Sequence, residues 1–324
     1  MAFMTYFLGA YAASPNVTGW DPVLETAYYQ QLKQLPHLKG LEHPFVGRLH
    51  PHDDQWFLTN IDPAWDYVFT TIPGVMNALS QNPSFGLASL DEAGRQAALD
   101  FMWQANQAVA TLNQHVGRAA VTAIMLHSAP ARHKADGSAA ALEKSLAVLL
   151  SWDWHGAQLL LEHCDALVPG QKPSKGFLSL QDELQVLAAV NSQVRPLKPL
   201  GIVINWGRSV LETRDPSGAL QHIEAAKAHG VLQGIMFSGI SDQATAYGAW
   251  QDSHQPIKNS ETLLVGEPGS WLTEQAIQQC LQTCNGMALT VLGLKIGIRP
   301  LSATLTERMQ YLQAQLALLA SSNT

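Results

Sequence analysis

Chemically able side chains in this 324-residue sequence come in bursts, each closing a short apolar run. Gly40-Leu41-Glu42-His43 ends one run, Leu126-His127-Ser128 another, and Leu160-Leu161-Glu162-His163-Cys164-Asp165 a third. Ile204-Asn205-Trp206-Gly207-Arg208-Ser209 and Leu294-Lys295-Ile296 repeat the pattern, and the loop after Phe237-Ser238-Gly239 carries Gln251-Asp252-Ser253-His254. A carboxylate such as Glu162 or Glu42 can carry a proton between adjacent carbons, while Lys295, Arg208 or His127 stabilises the oxyanion left behind. Lys295 offers a second chemistry, because a lysine among apolar neighbours can lose its proton and form a Schiff base with a carbonyl substrate. Asn205 and His254 are placed to bind substrate. The rings of Trp206, Tyr247 and Trp250 could hold a sugar's C–H face, and Arg132-His133-Lys134 could meet an anionic group.

Plainer readings stand beside these. Successive strand residues point to opposite faces, so only one of Glu162 and His163 enters the interior, and Glu162 is the better choice. His127 reads equally as a satisfied core histidine, Asn205 as a loop anchor, Arg208 as the ion-pair partner of Glu212, and Trp206 and Trp250 as loop packing. A buried Lys295 needs a partner or a task, and Glu162 or Glu267 would satisfy it without catalysis.

The elements that must position these residues are eight apolar runs, at 6–13, 38–45, 67–73, 120–128, 158–164, 200–206, 232–238 and 287–296. Helical segments separate most of them. The clearest is 91–116, where Leu99, Met102, Val109, Leu112 and Val116 share one face. Ser89-Leu-Asp-Glu92 reads as its capping box, Asp215-Pro216 as another helix start, and Thr304-Leu-Thr-Glu307 as the box opening a last helix striped by Leu312, Leu316 and Leu319. Alternation of strand and helix implies parallel strands joined by crossovers, and eight such units close into a (β/α)8 TIM barrel. An open doubly wound sheet is the alternative, but no G-x-G-x-x-G or P-loop follows the first run. With no repeat or linker, one domain over residues 1–324 is expected, and the Trp- and Tyr-bearing stretches 46–65 and 242–270 read as ordered active-site loops.

A net charge of −7 and the lack of any basic stripe exclude nucleic acid. The opening fifteen residues bear no Lys or Arg and too short an apolar run for a membrane span, so a secretory leader and a membrane are not expected either. Three cysteines in odd number fit a reducing, cytoplasmic setting. Cys280 and Cys284, one helical turn apart, read as small buried residues more readily than as a metal pair.

Leu-Leu-Leu-Glu-His-Cys-Asp, with Gly40-Leu41-Glu42, resembles the xylose isomerase-like barrels, a superfamily of sugar isomerases, sugar-phosphate epimerases and related lyases. The strings Glu-His-Cys-Asp, Asn-Trp-Gly-Arg-Ser and Asp-Ser-His-Gln-Pro resemble an uncharacterised bacterial branch of it. The resemblance implies a divalent metal (Mn, Mg or Zn) held by carboxylates and a His from strands five to eight. Glu162 matches the strand-five ligand, and His254 or Glu267 would supply others. Asn205 stands where an Asp is common, however, and Lys295 stands near the missing strand-eight carboxylate. The implied activity is isomerisation or epimerisation of a small sugar derivative, including a phosphorylated or sulfonated one. Barrels of this type frequently pair, so a homodimer is expected. An aldolase-like lyase acting through Lys295 and a non-catalytic sugar-binding barrel are the alternatives.

Overall fold

A computed structural model describes residues 5–322. Eight parallel strands form one closed barrel: β1 (Tyr6–Leu8), β2 (Leu38–Pro44), β3 (Asp66–Thr70), β4 (Val121–Leu126), β5 (Gln158–His163), β6 (Gly201–Asn205), β7 (Leu232–Phe237) and β8 (Val291–Leu294). Each strand pairs with its neighbours in chain order, and β1 closes the ring on β8. Ten helices surround it, α1 (Pro22–Leu32), α2 (Asp54–Asn60), α3 (Ile72–Gln81), α4 (Glu92–Val116) and α5 (Ala139–Leu150) first among the described residues. Then come α6 (Leu180–Val194), α7 (Trp206–Thr213), α8 (Gly218–Ala228), α9 (Glu274–Thr283) and α10 (Leu305–Ser321). No helix among the described residues is long and apolar enough to cross a membrane.

The lumen is filled by a separate apolar layer of Phe7, Val68, Ala123, Met125, Leu160, Val203, Met236 and Val291. Strand alternation then fixes what lies above it. Two residues beyond the lumen-facing position of each strand come Gly9, Glu42, Thr70, His127, Glu162, Asn205, Ser238 and Lys295. This is a polar plate set on an apolar floor, at the C-terminal end where barrels of this kind carry their chemistry. Outside the strands, Leu8, Leu41, Phe69, Leu126, Leu161 and Ile204 pack into the large helix-facing core.

Helix starts follow local chemistry, with three departures from expectation. The Asp91 carboxylate, not Ser89, caps α4 by accepting the Gly94 N–H, because Ser89 lies two residues too early and bonds the Asp91 N–H instead. Asp215 turns its carboxylate onto Ser217, and α8 begins only at Gly218. The first run stops as a strand at Leu8, and Ala10–Ala13 coil into a 3-10 turn that aims Tyr11 at the barrel mouth. The Thr304–Glu307 capping box is present, and Leu312, Leu316 and Leu319 are fully buried. The stretch 46–65 is not all loop, since Asp53 caps α2 within it.

Candidate active site

Glu162 is the hub of the plate and is fully buried. Its Oε1 accepts the Asn205 amide at 3.1 Å, and its Oε2 meets His127 Nε2 at 2.9 Å and Arg208 Nη1 at 2.8 Å. Asn205 does two things at once, because its Oδ1 also caps α7 by accepting the Arg208 N–H at 3.3 Å. The strand-to-helix turn therefore fixes the arginine and the carboxylate together. Burial alone would raise the Glu162 carboxyl, but Arg208, Lys295 and the His127 hydrogen bond outweigh it and hold it well below the usual range. Burial lowers His127 to about 4 against the pull of Glu162, so its ring is neutral at pH 7. An ionised Glu162 then requires the proton on Nε2, and Nδ1 faces the Thr71 hydroxyl at 3.0 Å, whose own proton goes to the Met125 carbonyl at 2.9 Å.

Across the lumen, Lys295 Nζ donates to Glu42 Oε1 at 2.6 Å and to the Tyr11 hydroxyl at 3.2 Å. Lys295 and Glu42 are cut off from solvent, Tyr11 is half-buried between them and the rim, and the second oxygen of Glu42 has no hydrogen-bond partner. Burial pushes the Glu42 carboxyl up, Lys295 opposes this, and Glu162 adds to it. Burial would lower Lys295, but Glu42, Tyr11 and Glu162 reverse the shift and keep it an ammonium. The partner of Lys295 is thus Glu42, not Glu162 or Glu267. Glu267 accepts the Gly269 N–H in the long β7–α9 loop.

A third carboxylate completes the cluster. Asp252 Oδ2 lies 3.1 Å from Arg208 Nε and 3.1 Å from Lys175 Nζ, and its Oδ1 lies 3.4 Å from His254 Nδ1. Burial would raise Asp252, yet Arg208, Lys175 and His254 hold it well below the ordinary range. Burial lowers His254 to about 3, against the pull of Asp252. Its Nδ1 also meets Ser238 Oγ at 2.9 Å. Three carboxylates (Glu42, Glu162, Asp252) thus face three cations (Lys295, Arg208, Lys175), and the mouth is close to neutral. Arg208 joins Glu162 to Asp252, and Glu212, its expected partner, instead serves His163 on the outer face.

The structure brings Glu42, His127, Glu162, Asn205, Arg208, His254 and Lys295 together and leaves three other candidates apart. Trp206 is buried on the outer side, beside Pro216, Leu220 and Cys280. Trp250 stacks under Arg214 at 4.2 Å and against Trp271 at 5.1 Å. Neither ring joins the plate, because Trp206 opens α7 with its ring among the outer residues and Trp250 is held by Arg214 and Trp271. Arg132 is exposed, and Tyr247 gives its hydroxyl to the Gly297 carbonyl. Tyr11 lies in a run that reads as strand, Lys175 carries no local signal in the sequence, and Asp252 shows there only within the string that holds His254.

A cavity of about 290 Å³ opens at the rim above β1 and β2, lined by Tyr11, Asn16, Trp20, Tyr29, His50 and His52 among others. Tyr11 forms its boundary with the Lys295–Glu42 pair. The Asn16 Nδ2 atom is buried without a partner.

A divalent metal does not fit the mouth. Ligands must converge with free lone pairs. The oxygens of Glu162 are taken by Asn205, His127 and Arg208, His254 Nδ1 is engaged by Ser238, and an ammonium and a guanidinium occupy the surrounding space. A different set, His163, Glu212 and His222, lies on the outer face with its ligand atoms within 4.8 Å of one another.

The family described as a domain of unknown function, DUF4862, matches residues 7–311. The chain belongs to this family. An uncharacterized protein of Salmonella typhimurium is 34% identical to it over 311 residues, covering 95% of this chain and 94% of that protein. Among solved structures, a xylose isomerase-like TIM barrel/4-hydroxyphenylpyruvate dioxygenase fusion protein superposes with a TM-score of 0.56 at 13% identity. The match covers 96% of this chain and 42% of the fusion. A sugar phosphate isomerase/epimerase from Parabacteroides distasonis gives 0.56 at 11% identity, over 100% of this chain and 96% of its own. At such identities the likeness establishes the xylose isomerase-like barrel fold, and chemistry must be argued from the site.

Proposed function

We propose that this protein is a sugar isomerase or epimerase that moves a proton next to a carbonyl without a metal at the barrel mouth. The observation that carries this reading is Glu42: a buried carboxylate with one oxygen unpartnered, pushed above its usual range, beside a lysine held as an ammonium. A general base works best when its pKa approaches the working pH, and desolvation moves Glu42 in that direction. Glu42 Oε2 takes the proton from the carbon beside the carbonyl. Lys295, with the Tyr11 hydroxyl beside it, stabilises the enediolate oxygen and relays the adjacent hydroxyl's proton to it, and Glu42 returns the carbon-bound proton to the neighbouring carbon, which isomerises the sugar. Epimerisation requires the returning proton to reach the opposite face of the same carbon, from solvent or a second acid. Glu162, with its oxygens fully engaged, anchors Arg208 and Asn205 rather than moving the proton. Structural neighbours described as sugar phosphate isomerase/epimerase support the reaction class at the level of fold.

The pairing of charges favours an uncharged sugar. Arg208, Lys295 and Lys175 are each neutralised by a carboxylate, and Arg132 stands outside, so a phosphate meets no free cation at the plate. The same pairing weighs against the lyase reading, since an ammonium hydrogen-bonded to Glu42 has no lone pair for a carbonyl.

The test is solvent exchange. Incubating the protein in D2O with aldoses, ketoses and their phosphates is expected to place deuterium on the carbon beside the carbonyl of at least one sugar. Glu42→Gln should slow this by about 10²–10⁴-fold, the usual worth of a positioned base. Exchange that survives in Glu42→Gln, or borohydride trapping of substrate on Lys295 with no exchange, would overturn the reading.

A further inference from the structure

Glu162 and His163 are adjacent and point to opposite sides of β5. The lumen side holds the site just described, and the outer side holds a second cluster with no part in it. His163 Nε2 lies 3.1 Å from Glu212 Oε2 on α7, and His222 Nε2 on α8 lies 3.9 Å from Glu212 Oε1. The second distance is too long for a hydrogen bond. Two ligands on a tetrahedral zinc, each about 2.0–2.1 Å from the metal, stand roughly 3.3 Å apart. The separations from the two oxygens of Glu212 to the two rings lie either side of that value, and one ligand atom from each of the three residues lies within 4.8 Å of the others.

The far side of each ring carries the support that metal-binding histidines have. His163 Nδ1 is held by Glu183 Oε2 at 2.6 Å, and Glu183 Oε1 accepts the Ser128 hydroxyl at 2.5 Å. His222 Nδ1 meets Ser209 Oγ at 3.0 Å. Such outer partners fix ring tautomer and orientation so that the remaining nitrogen faces the ion. The Ala166 N–H, 2.7 Å from Glu212 Oε2, orients the carboxylate in the same way. His163 is fully buried, while Glu212 and His222 keep 13% and 12% side-chain exposure, which provides an entry path.

We propose that His163, Glu212 and His222 form a zinc site on the outer face of the barrel, with the fourth position open to water or a small ligand. Two imidazoles and one carboxylate suit zinc, where all-oxygen sets suit magnesium or calcium. Zinc takes the place of the proton that His163 otherwise holds between Glu183 and Glu212. It would tie the end of β5 to α7 and α8, behind the turn that carries Asn205 and Arg208.

The test uses full-length protein stripped with a chelator, dialysed, and titrated with zinc sulfate. Elemental analysis is expected to find one zinc per chain, and the melting temperature should rise with zinc concentration. His222→Ala should keep its far-UV circular dichroism, lose the stoichiometric zinc and show no zinc-dependent rise. Ser209→Ala should weaken zinc binding by about 10–100-fold. Cys280→Ala with Cys284→Ala should leave it unchanged. If His222→Ala does not fold, cobalt substitution of the wild type decides, with visible bands of a four- or five-coordinate nitrogen–oxygen site and no thiolate charge-transfer band expected. No stoichiometric zinc in the wild type, zinc retained by His222→Ala, or a thiolate band with cobalt would each overturn the proposal, leaving the cluster a buried ion-pair network.

Discussion

Glu42 and Glu162 are the same residue type on the same polar plate, and their surroundings drive them in opposite directions. Glu162 is saturated with donors and stays ionised, whereas Glu42 has one donor and an unpartnered oxygen in a dry site. That contrast gives a pH prediction. A base must be deprotonated to act, so the rate falls as pH drops through the Glu42 pKa, and burial sets that acid limb above the ordinary carboxylate value. Lys295 pulls Glu42 the other way. Lys295→Met should therefore move the acid limb of the kcat/KM profile to higher pH as well as lower the rate. An unmoved limb would take the limb away from Glu42. Gly9 makes the pair possible, since a Cβ there would stand 2.5 Å from Glu42 Oε2 and 2.8 Å from Lys295 Cγ. Gly9→Ala should thus lower exchange activity at least about tenfold, because roughly 1.4 kcal/mol of misplacement already costs that much. Far-UV circular dichroism on the same sample should be unchanged.

At the scale of elements, the eight strands are legible because each is a short apolar run closed by polar residues, and the last helix because of its capping box and leucine stripe. Strand alternation admits only one of Glu162 and His163 to the lumen. What could not be read is what depends on turns. The position of Trp206 after β6 points to the substrate, but its side chain is set by the first turn of α7, and sequence spacing does not encode that rotation. Tyr11 reads as strand because Ala, Tyr and Ala suit either state, and the 3-10 turn comes from the Ala12 N–H bonding the Gly9 carbonyl. Lys175 reaches Arg208's partner across two loops, a contact between distant parts of the chain with no local trace. The capping error at α4 is instructive in the same way, since Ser89 and Asp91 both fit an N-cap and only the geometry selects Asp91. Asp91→Ala should cost about 1 kcal/mol, read as a lower urea midpoint with an unchanged slope. A cost near zero would show that the Gly94 N–H finds another acceptor.

At the scale of the whole molecule, the plate is closed by charge that crosses between loops. Asp252, from the long β7–α9 loop, joins Arg208 on α7 to Lys175 in the β5–α6 loop, and all three side chains are largely removed from water. Removing one partner of a buried set leaves the others uncompensated, which costs about 3–5 kcal/mol. Asp252→Asn should lower unfolding stability by that order at pH 7, measured in urea. The sign of its pH dependence follows from linkage. The folded pKa of Asp252 lies well below its unfolded value of about 3.9, so its stabilisation is fully present above that value and is lost as pH falls through the folded pKa. The gap between wild type and Asp252→Asn should therefore be constant from neutral pH down to about 5 and narrow progressively below about 4. A gap that stays constant down through pH 3 would mean that Asp252 titrates near its ordinary value, and that Arg208 is held in the folded protein by Glu162 alone.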